Sequence, residues 1–473
     1  MTQKLPNFDT HFSDWYNEIV YQAELADQAP VRGCMVVRPY GYAIWENMQT
    51  VIDAKFKEHG VQNAAFPLLI PLSFLQKEAD HVEGFAPEIA VVTHAGGEKL
   101  EEPLVVRPTS ETIIHYMFAK WIHSWRDLPI KVNQWCSVVR WEKRARPFLR
   151  TTEFWWQEGH TVHETAEEAH EMAKTMHHVY RDFMQDVLAI PVLAERKPPH
   201  ERFAGATETY TLEGIMPDGK ALQMGTSHEI SQSFAKAFDM TFQNREGAQA
   251  YPYLTSWGVT TRMIGAMVMS HGDNKGLILP PKIAPYQVVI IPIFKTENRD
   301  AVLKATNELA VQLKSVARVV IDADDSTTPG AKFYKWELKG VPLRIEIGPR
   351  DIANNQVVVV DRLEGKKEII AIDALPATIA AKLERLQKQL FERALARREQ
   401  QWVKSDKSLD EIGPELSEGG KFYQVGWSGD VAAVDALKKY HGTFRCILST
   451  KESTTCFFNG KPSIYDIIIA KAY

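Results

Sequence analysis

The stretch RWEKRARPFLRTTEFWWQEGH, Arg140–His160, decides how this chain is read. Upstream of it, Val132–Trp141 alternates as a half-buried strand does. Downstream, Phe154–Thr161 reads as the returning partner, so two long strands enclose a basic loop carrying Arg144, Arg146 and Arg150. On the predicted strand Arg140 and Glu142 stand at i and i+2 and share one face. A guanidinium grips a phosphate through two parallel hydrogen bonds, and a neighbouring carboxylate orients it or holds a base amine or metal. Taken alone, the pair reads as a surface ion pair. Phe154, Trp155 and Trp156 supply rings that stack on a base, although each by itself defaults to core. Glu158 and His160 add an acidic end. The stretch has what a nucleotide site needs, yet no glycine-rich phosphate loop occurs in the sequence.

Composition bounds the rest. With 473 residues the chain has room for two or three domains with sizeable cores. Hydrophobic content of 45% and charged content of 24% suit a globular protein. A net charge of −5 excludes unselective coating of nucleic acid but allows a local basic face. No apolar run approaches the ~20 residues that span a bilayer, so no membrane partner is expected. The opening MTQKLPNFDTHFSDW lacks an apolar signal core. Cys34, Cys136, Cys446 and Cys456 are too few and scattered for a disulfide framework. A reducing cytoplasm is the expected location.

Helices are expected at Asp9–Leu25, Tyr42–His59, Ser110–Trp121 and Glu164–Leu188, with a short strand at Ala64–Ile70 bearing Pro67. Prolines in GLILPPKIAP, Gly276–Pro285, mark a boundary. Strands then alternate with helices: Gln287–Pro292, Asp300–Ala317, Val319–Asp322, Leu343–Ile347, Gln356–Asp361 and Pro376–Trp402. That pattern indicates a small α/β domain. A polar break at Ser405–Gly420 precedes a last small unit.

Three further strings carry chemistry. In RPTSET, Arg107–Thr112, Thr109 and Glu111 form a receptor for an ammonium group, or cap a helix with Thr109 or Ser110. QMGTSHE, Gln223–Glu229, groups polar side chains after a glycine, and SWGVTTR, Ser256–Arg262, adds a second arginine. Each alone is equally a polar turn or a hairpin end. His163, His170 and His177 read as one helix face, since seven residues rise ~10.5 Å, too far to share an ion.

RPTSET, RWE with FLRT and WQEGH, GTSH, and SWGVTTR occur here in the order found in prolyl-tRNA synthetases. The chain resembles that family, in its eukaryote- and archaeon-like type, from VRGCMVVRPYGYAIWE at Val31 to the terminal AY. The resemblance implies an α+β fold. It comprises a class II antiparallel sheet flanked by helices (residues 1–284), an α/β anticodon-binding domain (285–403) and a small C-terminal α+β domain (404–473). Tyr42–Pro67 matches the first family motif, which implies a homodimer. The implied substrates are L-proline, ATP with Mg²⁺, and tRNA(Pro). Class II enzymes bind a bent ATP with arginines, which accounts for the missing glycine loop.

By the resemblance, Arg140 and Arg262 are the catalytic cations, and Arg140 contacts both the α-phosphate and the proline carboxylate. Glu142 faces the adenine amine, Phe154 stacks on the ring, and Arg150 and Thr151 line the nucleotide. Gln223 and Thr226 hold the ribose. Thr109 and Glu111 take the proline ammonium, while Trp156, Glu158, His160, Phe203 and His228 wall the amino-acid pocket. Phe333, Trp336, Glu337, Arg344 and Glu346, within the string Ala331–Asp351, are the expected base readers. That string otherwise reads as a packed hairpin with a solvated face.

Two departures matter. Many relatives carry four zinc-binding cysteines in the last unit, but here Val425 and Phe458 stand where cysteines are expected. Cys446 and Cys456, with His441 nearby, fall short of the four ligands zinc requires, so no structural zinc is expected. The segment from Phe154 to Arg262 has no room for an editing insertion. The competing readings are a threonyl or seryl enzyme and a catalytically silent RNA-binding paralogue. The first lacks its zinc-ligand set, and the second would have lost motif arginines that this chain keeps.

Overall fold

The structure, a computed structural model, describes residues 4–76 and 88–473. Among the described residues, eleven strands form one large sheet. In chain order the first seven are β1 (Gln62–Asn63), β2 (Ile130–Val139), β3 (Glu153–His163), β4 (Val192–Arg196), β5 (Glu208–Ile215), β6 (Ala221–Ser231) and β7 (Tyr253–Thr260). This first part of the sheet runs β4-β5-β6-β7-β3-β2-β1, antiparallel except for the edge pair β1–β2. The expected hairpin is present: β2 and β3 pair from Ile130↔Val162 to Val139↔Glu153, and Arg140 N donates to Thr152 O at 2.8 Å. Arg140 and Glu142 lie just beyond β2, so their proximity comes from the loop and not from strand alternation.

Helices pack against this sheet. They are α1 (Phe12–Gln22), α2 (Pro39–Glu58), α3 (Glu111–Trp121), α4 (Ala166–Asp182) and α5 (Arg262–His271). In α4 the apolar stripe Ala169, Met172, Ala173, Met176 and Tyr180 is buried, while Thr165 caps the first turn by accepting from Glu168 N. The main core joins Trp15, Tyr16, Trp45, Phe56, Tyr180 and Trp257 with the methionines of α5. Expected boundaries shift locally. The helix expected to Leu188 becomes a π-turn over Phe183–Val187, and His163 ends β3 and is not on a helix face with His170. Pro67 lies between β1 and a strand at Leu69–Pro71, so Ala64–Ile70 is not one strand.

Five more strands, β8 (Val288–Pro292), β9 (Val319–Ile321), β10 (Leu343–Ile347), β11 (Gln356–Asp361) and β12 (Lys367–Ala371), form a separate sheet in the order β9-β8-β10-β11-β12. β8 is buried along its length and parallel to both neighbours, as a fully apolar strand should be. With it go α6 (Arg299–Leu313), α7 (Pro329–Leu338) and α8 (Leu375–Gln401). The string read as a hairpin is helix α7 followed by β10. Thr328 caps α7, Pro329 starts it, and Gly340 at φ +72° turns the chain out. The link to the part built on the large sheet is tight: Leu277 N and Leu279 N donate to Leu338 O and Gly340 O at 3.0 Å, and Arg362 makes a two-pronged pair with Asp273.

The last unit contributes β13 (Trp402–Lys404), β14 (Phe422–Trp427), β15 (Thr443–Ile447) and β16 (Tyr465–Ala470). It has a core of its own, including Tyr423, Val425, Trp427 and Phe457. It also extends the large sheet in the order β13-β14-β16-β15-β4, through the bridge Ile447↔Arg196. The residues present do not fit zinc. Cys456 packs in that core and Cys446 in a different cluster with Phe422 and Ile468.

Across the seam a buried cluster forms. Glu213 Oε1 accepts from Lys197 Nζ at 2.9 Å, and Oε2 accepts from Arg445 Nη2 at 2.7 Å. Burial opposes ionisation of Glu213, but Arg445 and Lys197 outweigh it and hold the carboxyl near about 2, below its ordinary 4.5. A depressed folded value means this pairing stabilises fully above about pH 4.5 and is lost as the pH falls toward 2. Glu213→Gln leaves two buried cations without a counter-charge, at a cost of about 3–5 kcal/mol. Thermal unfolding should show a lower Tm for Glu213→Gln at pH 7, with the gap to the parent narrowing as the pH drops below about 4.5.

Candidate active site

The RPTSET segment is pinned across the start of the hairpin loop. Arg107 is buried and donates to Ser137 O at 2.9 Å and Phe66 O at 2.8 Å, while Val139 N donates to Arg107 O at 3.0 Å. Arg140 Nε donates to Pro108 O at 3.0 Å. Thr109, Glu111 and Arg140 therefore meet at one end of a cavity of about 420 Å³. Thr109 Oγ1 donates to Glu111 Oε2, and Glu111 is the first residue of α3. Ser110 holds the cap position, but its hydroxyl is used elsewhere.

That hydroxyl goes to Glu158. The buried Glu158 carboxylate accepts from Ser110 Oγ, from Gln134 Nε2 at 2.6 Å and from His160 Nε2 at 3.1 Å. Burial works against its charge, but the hydrogen bonds and the His160 charge win and hold it below the usual carboxylate range. Burial likewise works to lower His160, but the hydrogen bond and charge of Glu158 more than reverse this and raise it above its ordinary value. His228 is different. Burial and the His160 charge push it down to about 3, so it is neutral, and its ring lies 4.7 Å from that of Phe203. Trp156 completes this end, its Nε1 donating to Cys136 Sγ at 3.3 Å.

The opposite end is cationic. Arg262 Nε donates to Leu149 O at 3.0 Å and Nη1 to Gln223 O at 3.1 Å, both uncharged carbonyls. Burial first, then Arg140, Arg445 and Arg150, pull it down to about 10. Arg140 is lowered by burial and supported by Glu111, Glu88 and Glu158. Its guanidinium lies 5.4 Å from the Phe154 ring centre and 5.5 Å from that of Trp156. Glu142 is paired with Arg150 and also accepts from Arg144 N at 2.8 Å. Thr151 donates to Glu153 O at 2.7 Å, and Gln223 and Thr226 stand on β6 in the wall.

All the catalytic-part candidates thus line one cavity. Sequence reading missed Glu88, Lys197, Arg202 and Thr209, which line it too. A signal for part of this was present: Thr207, Thr209, Thr211 and Glu213 recur at every second position, a polar face on a buried strand. The base-reader candidates divide. Phe333, Arg344 and Glu346 cluster, with Arg344 4.3 Å from the Phe333 ring centre and Glu346 between Arg344 and Lys367. Trp336 is buried and donates to Asp322 Oδ2 at 2.7 Å. Glu337 pairs with Lys275 of the interdomain link at 3.1 Å. Trp336 therefore packs inward, while Glu337 stays partly exposed beside Lys275.

Against known proteins, residues 93–271 match the class II core domain of tRNA synthetases (G, H, P, S and T), and residues 287–382 match an anticodon-binding domain. A proline–tRNA ligase of Acetoanaerobium sticklandii is 50% identical over 99% of this chain and 98% of its own. A proline–tRNA ligase of Chloroherpeton thalassium is also 50% identical, over the whole of both chains. The chain belongs to the proline–tRNA ligase family. A crystal structure of prolyl-tRNA synthetase from Cryptosporidium parvum, complexed with halofuginone and AMPPNP, superposes with a TM-score of 0.94 at 42% identity, covering 99% of each chain. Family membership agrees with a site that is acidic at one end and cationic at the other.

Gly159 of β3, between Glu158 and His160, turns toward Trp257 in the main core. A methyl group there would lie 2.2 Å from ring carbons of Trp257. Gly159→Ala should lower stability by about 1–3 kcal/mol, read as a drop in denaturation midpoint.

Proposed function

We infer that the chain joins L-proline to tRNA(Pro) in two steps driven by ATP. The observation that carries this reading is the juxtaposition of Glu111 and Arg140 at one end of the cavity. Glu158 is already engaged by Ser110, Gln134 and His160. Glu111, by contrast, is met by the uncharged hydroxyl of Thr109. A zwitterion fits that pattern: its ammonium goes to Glu111 and Thr109, and its carboxylate to Arg140. Neutral His228, Phe203 and Trp156 offer an uncharged wall to a small apolar ring.

ATP then takes the cationic end. Phe154 stacks on adenine, with Glu142, Arg150 and Thr151 along it, Gln223 and Thr226 at the ribose, and Arg262 on the far side or at the γ-phosphate. Mg²⁺ accompanying ATP would sit on the phosphate oxygens and would offset their charge there. A proline carboxylate oxygen attacks the α-phosphorus, the bond to pyrophosphate breaks, and prolyl-adenylate forms. A hydroxyl of the terminal adenosine of tRNA then attacks the carbonyl carbon, and AMP leaves. The protein supplies positioning and charge stabilisation through Arg140 and Arg262, and no side chain becomes a covalent nucleophile.

Other assignments are supported by particular features. Phe333, Arg344 and Glu346 are proposed to read anticodon bases beside the exposed Lys367. A homodimer is supported by exposed Leu68 and Leu69 next to Pro67. Among the described residues no helix is long and apolar enough to cross a membrane; a cytoplasmic location is proposed from the family. Residues 154–262 form β3 to β7, α4, a short helix at Ser233–Ala237 and a strand pair at Phe242–Gln243 and Gln249–Ala250; no editing domain is proposed there. Alanine, smaller than proline, should therefore be activated weakly.

Pyrophosphate exchange tests the reading: it should depend strongly on proline and only weakly on alanine. Glu111→Gln should raise the proline KM at least about tenfold with the ATP KM within about twofold, and Arg140→Ala should abolish exchange. Exchange with no amino acid would contradict the reading. Arg344→Ala should lower aminoacylation about tenfold while exchange stays within about twofold. Equal loss of both would remove the base-reading assignment.

A further inference from the structure

The buried cluster at the sheet seam holds more cation than acid. Glu213 accepts from Lys197 and Thr211 on one oxygen, both at 2.9 Å, and from two nitrogens of Arg445 on the other, at 3.0 and 2.7 Å. Two cations against one carboxylate leave one formal positive charge in a site where the three side chains are almost wholly buried. The cluster also adjoins the cavity. Lys197 lines it, and Glu213 stands directly opposite Gln223, whose carbonyl accepts from Arg262. Arg445 reaches there from β15, 232 positions from Glu213. A buried excess of positive charge at the Arg262 end favours a polyanion in the cavity, and low dielectric strengthens that attraction.

We propose that Arg445 is a positioning residue for ATP: through Glu213 it fixes Lys197 and the cationic wall, making the C-terminal unit part of the activating site. The inference rests on the reading of the cavity as the site of proline activation. Arg445 does not touch the reacting atoms. Its effect falls on the end that takes ATP, away from Glu111 and Thr109. A purely structural seam would stabilise the fold without distinguishing the two substrates.

The test is proline-dependent pyrophosphate exchange by the full chain, normalised to active sites. Arg445→Met should raise the ATP KM about tenfold while the proline KM stays within about twofold. Arg445→Lys keeps the charge and loses the second hydrogen bond, and should raise the ATP KM only about two- to threefold. An unchanged ATP KM in Arg445→Met, or an equal rise in both KM values, would overturn the inference. If Arg445→Met does not fold, Arg445→Lys decides: the small ATP-selective rise supports the proposal, and parental values for both substrates refute it. Absence of proline-dependent exchange in the parent removes the underlying reading, a result distinct from normal parental exchange with unaltered variants.

Discussion

The buried carboxylate of Glu158 is the interaction on which the site depends. It sits on the middle of β3 and gathers Ser110 from the RPTSET segment, Gln134 from β2 and His160 from its own strand. A buried carboxylate persists in charged form only when its lone pairs are met and a counter-charge is near, and here both conditions hold. The consequence is positional. RPTSET is fastened across the hairpin, so Thr109 and Glu111 face Arg140. It is also electrostatic. With Glu158 engaged by Ser110, Gln134 and His160, Glu111 and Arg140 present an anion and a cation to the two ends of an amino acid.

The remaining architecture keeps that arrangement rigid and adds the nucleotide end. Trp257 fills the space that Gly159 leaves open and ties β3 to the core behind the sheet. Arg262 begins α5, so a helix packed in the main core carries the cation at the far end of the cavity. The anticodon-binding part is attached through backbone pairing at Leu277 and Leu279 and through the Arg362–Asp273 pair. The last unit continues the catalytic sheet and does not hang from it. Its cohesion comes from an apolar core, with the Glu213 cluster bonding it to the catalytic part.

Much of this was legible in the sequence because the signals are local. Period-two alternation marks the β2–β3 hairpin, and a basic run between two strands places Arg150 and Arg140 together. The grouping of Thr109, Glu111, Gln223, Thr226 and Arg262 follows from motif order, which carries long-range pairing that periodicity does not. What stayed hidden is non-local. Two partners of Glu158 lie 48 and 24 positions away, so a residue expected to be a pocket wall is also the site's fastening. The join between β15 and β4 is a single bridge, Ile447↔Arg196, and no short-range pattern encodes it. Trp336 lies inside because Ala331–Asp351 is not extended throughout. The cap at Thr328 and Pro329 makes its first half a helix, and that turns Trp336 inward toward Asp322.

The central claim is that one cavity binds a zwitterion between Glu111 and Arg140 and a nucleotide between Phe154 and Arg262. The most direct test is a crystal structure of the protein with a non-hydrolysable analogue of prolyl-adenylate. The account predicts the pyrrolidine nitrogen at Glu111 and Thr109, the acyl–phosphate linkage at Arg140, and the adenine against Phe154 and Arg262. An analogue bound with its nitrogen away from Glu111, or with its adenine outside the Phe154–Arg262 end, would contradict it.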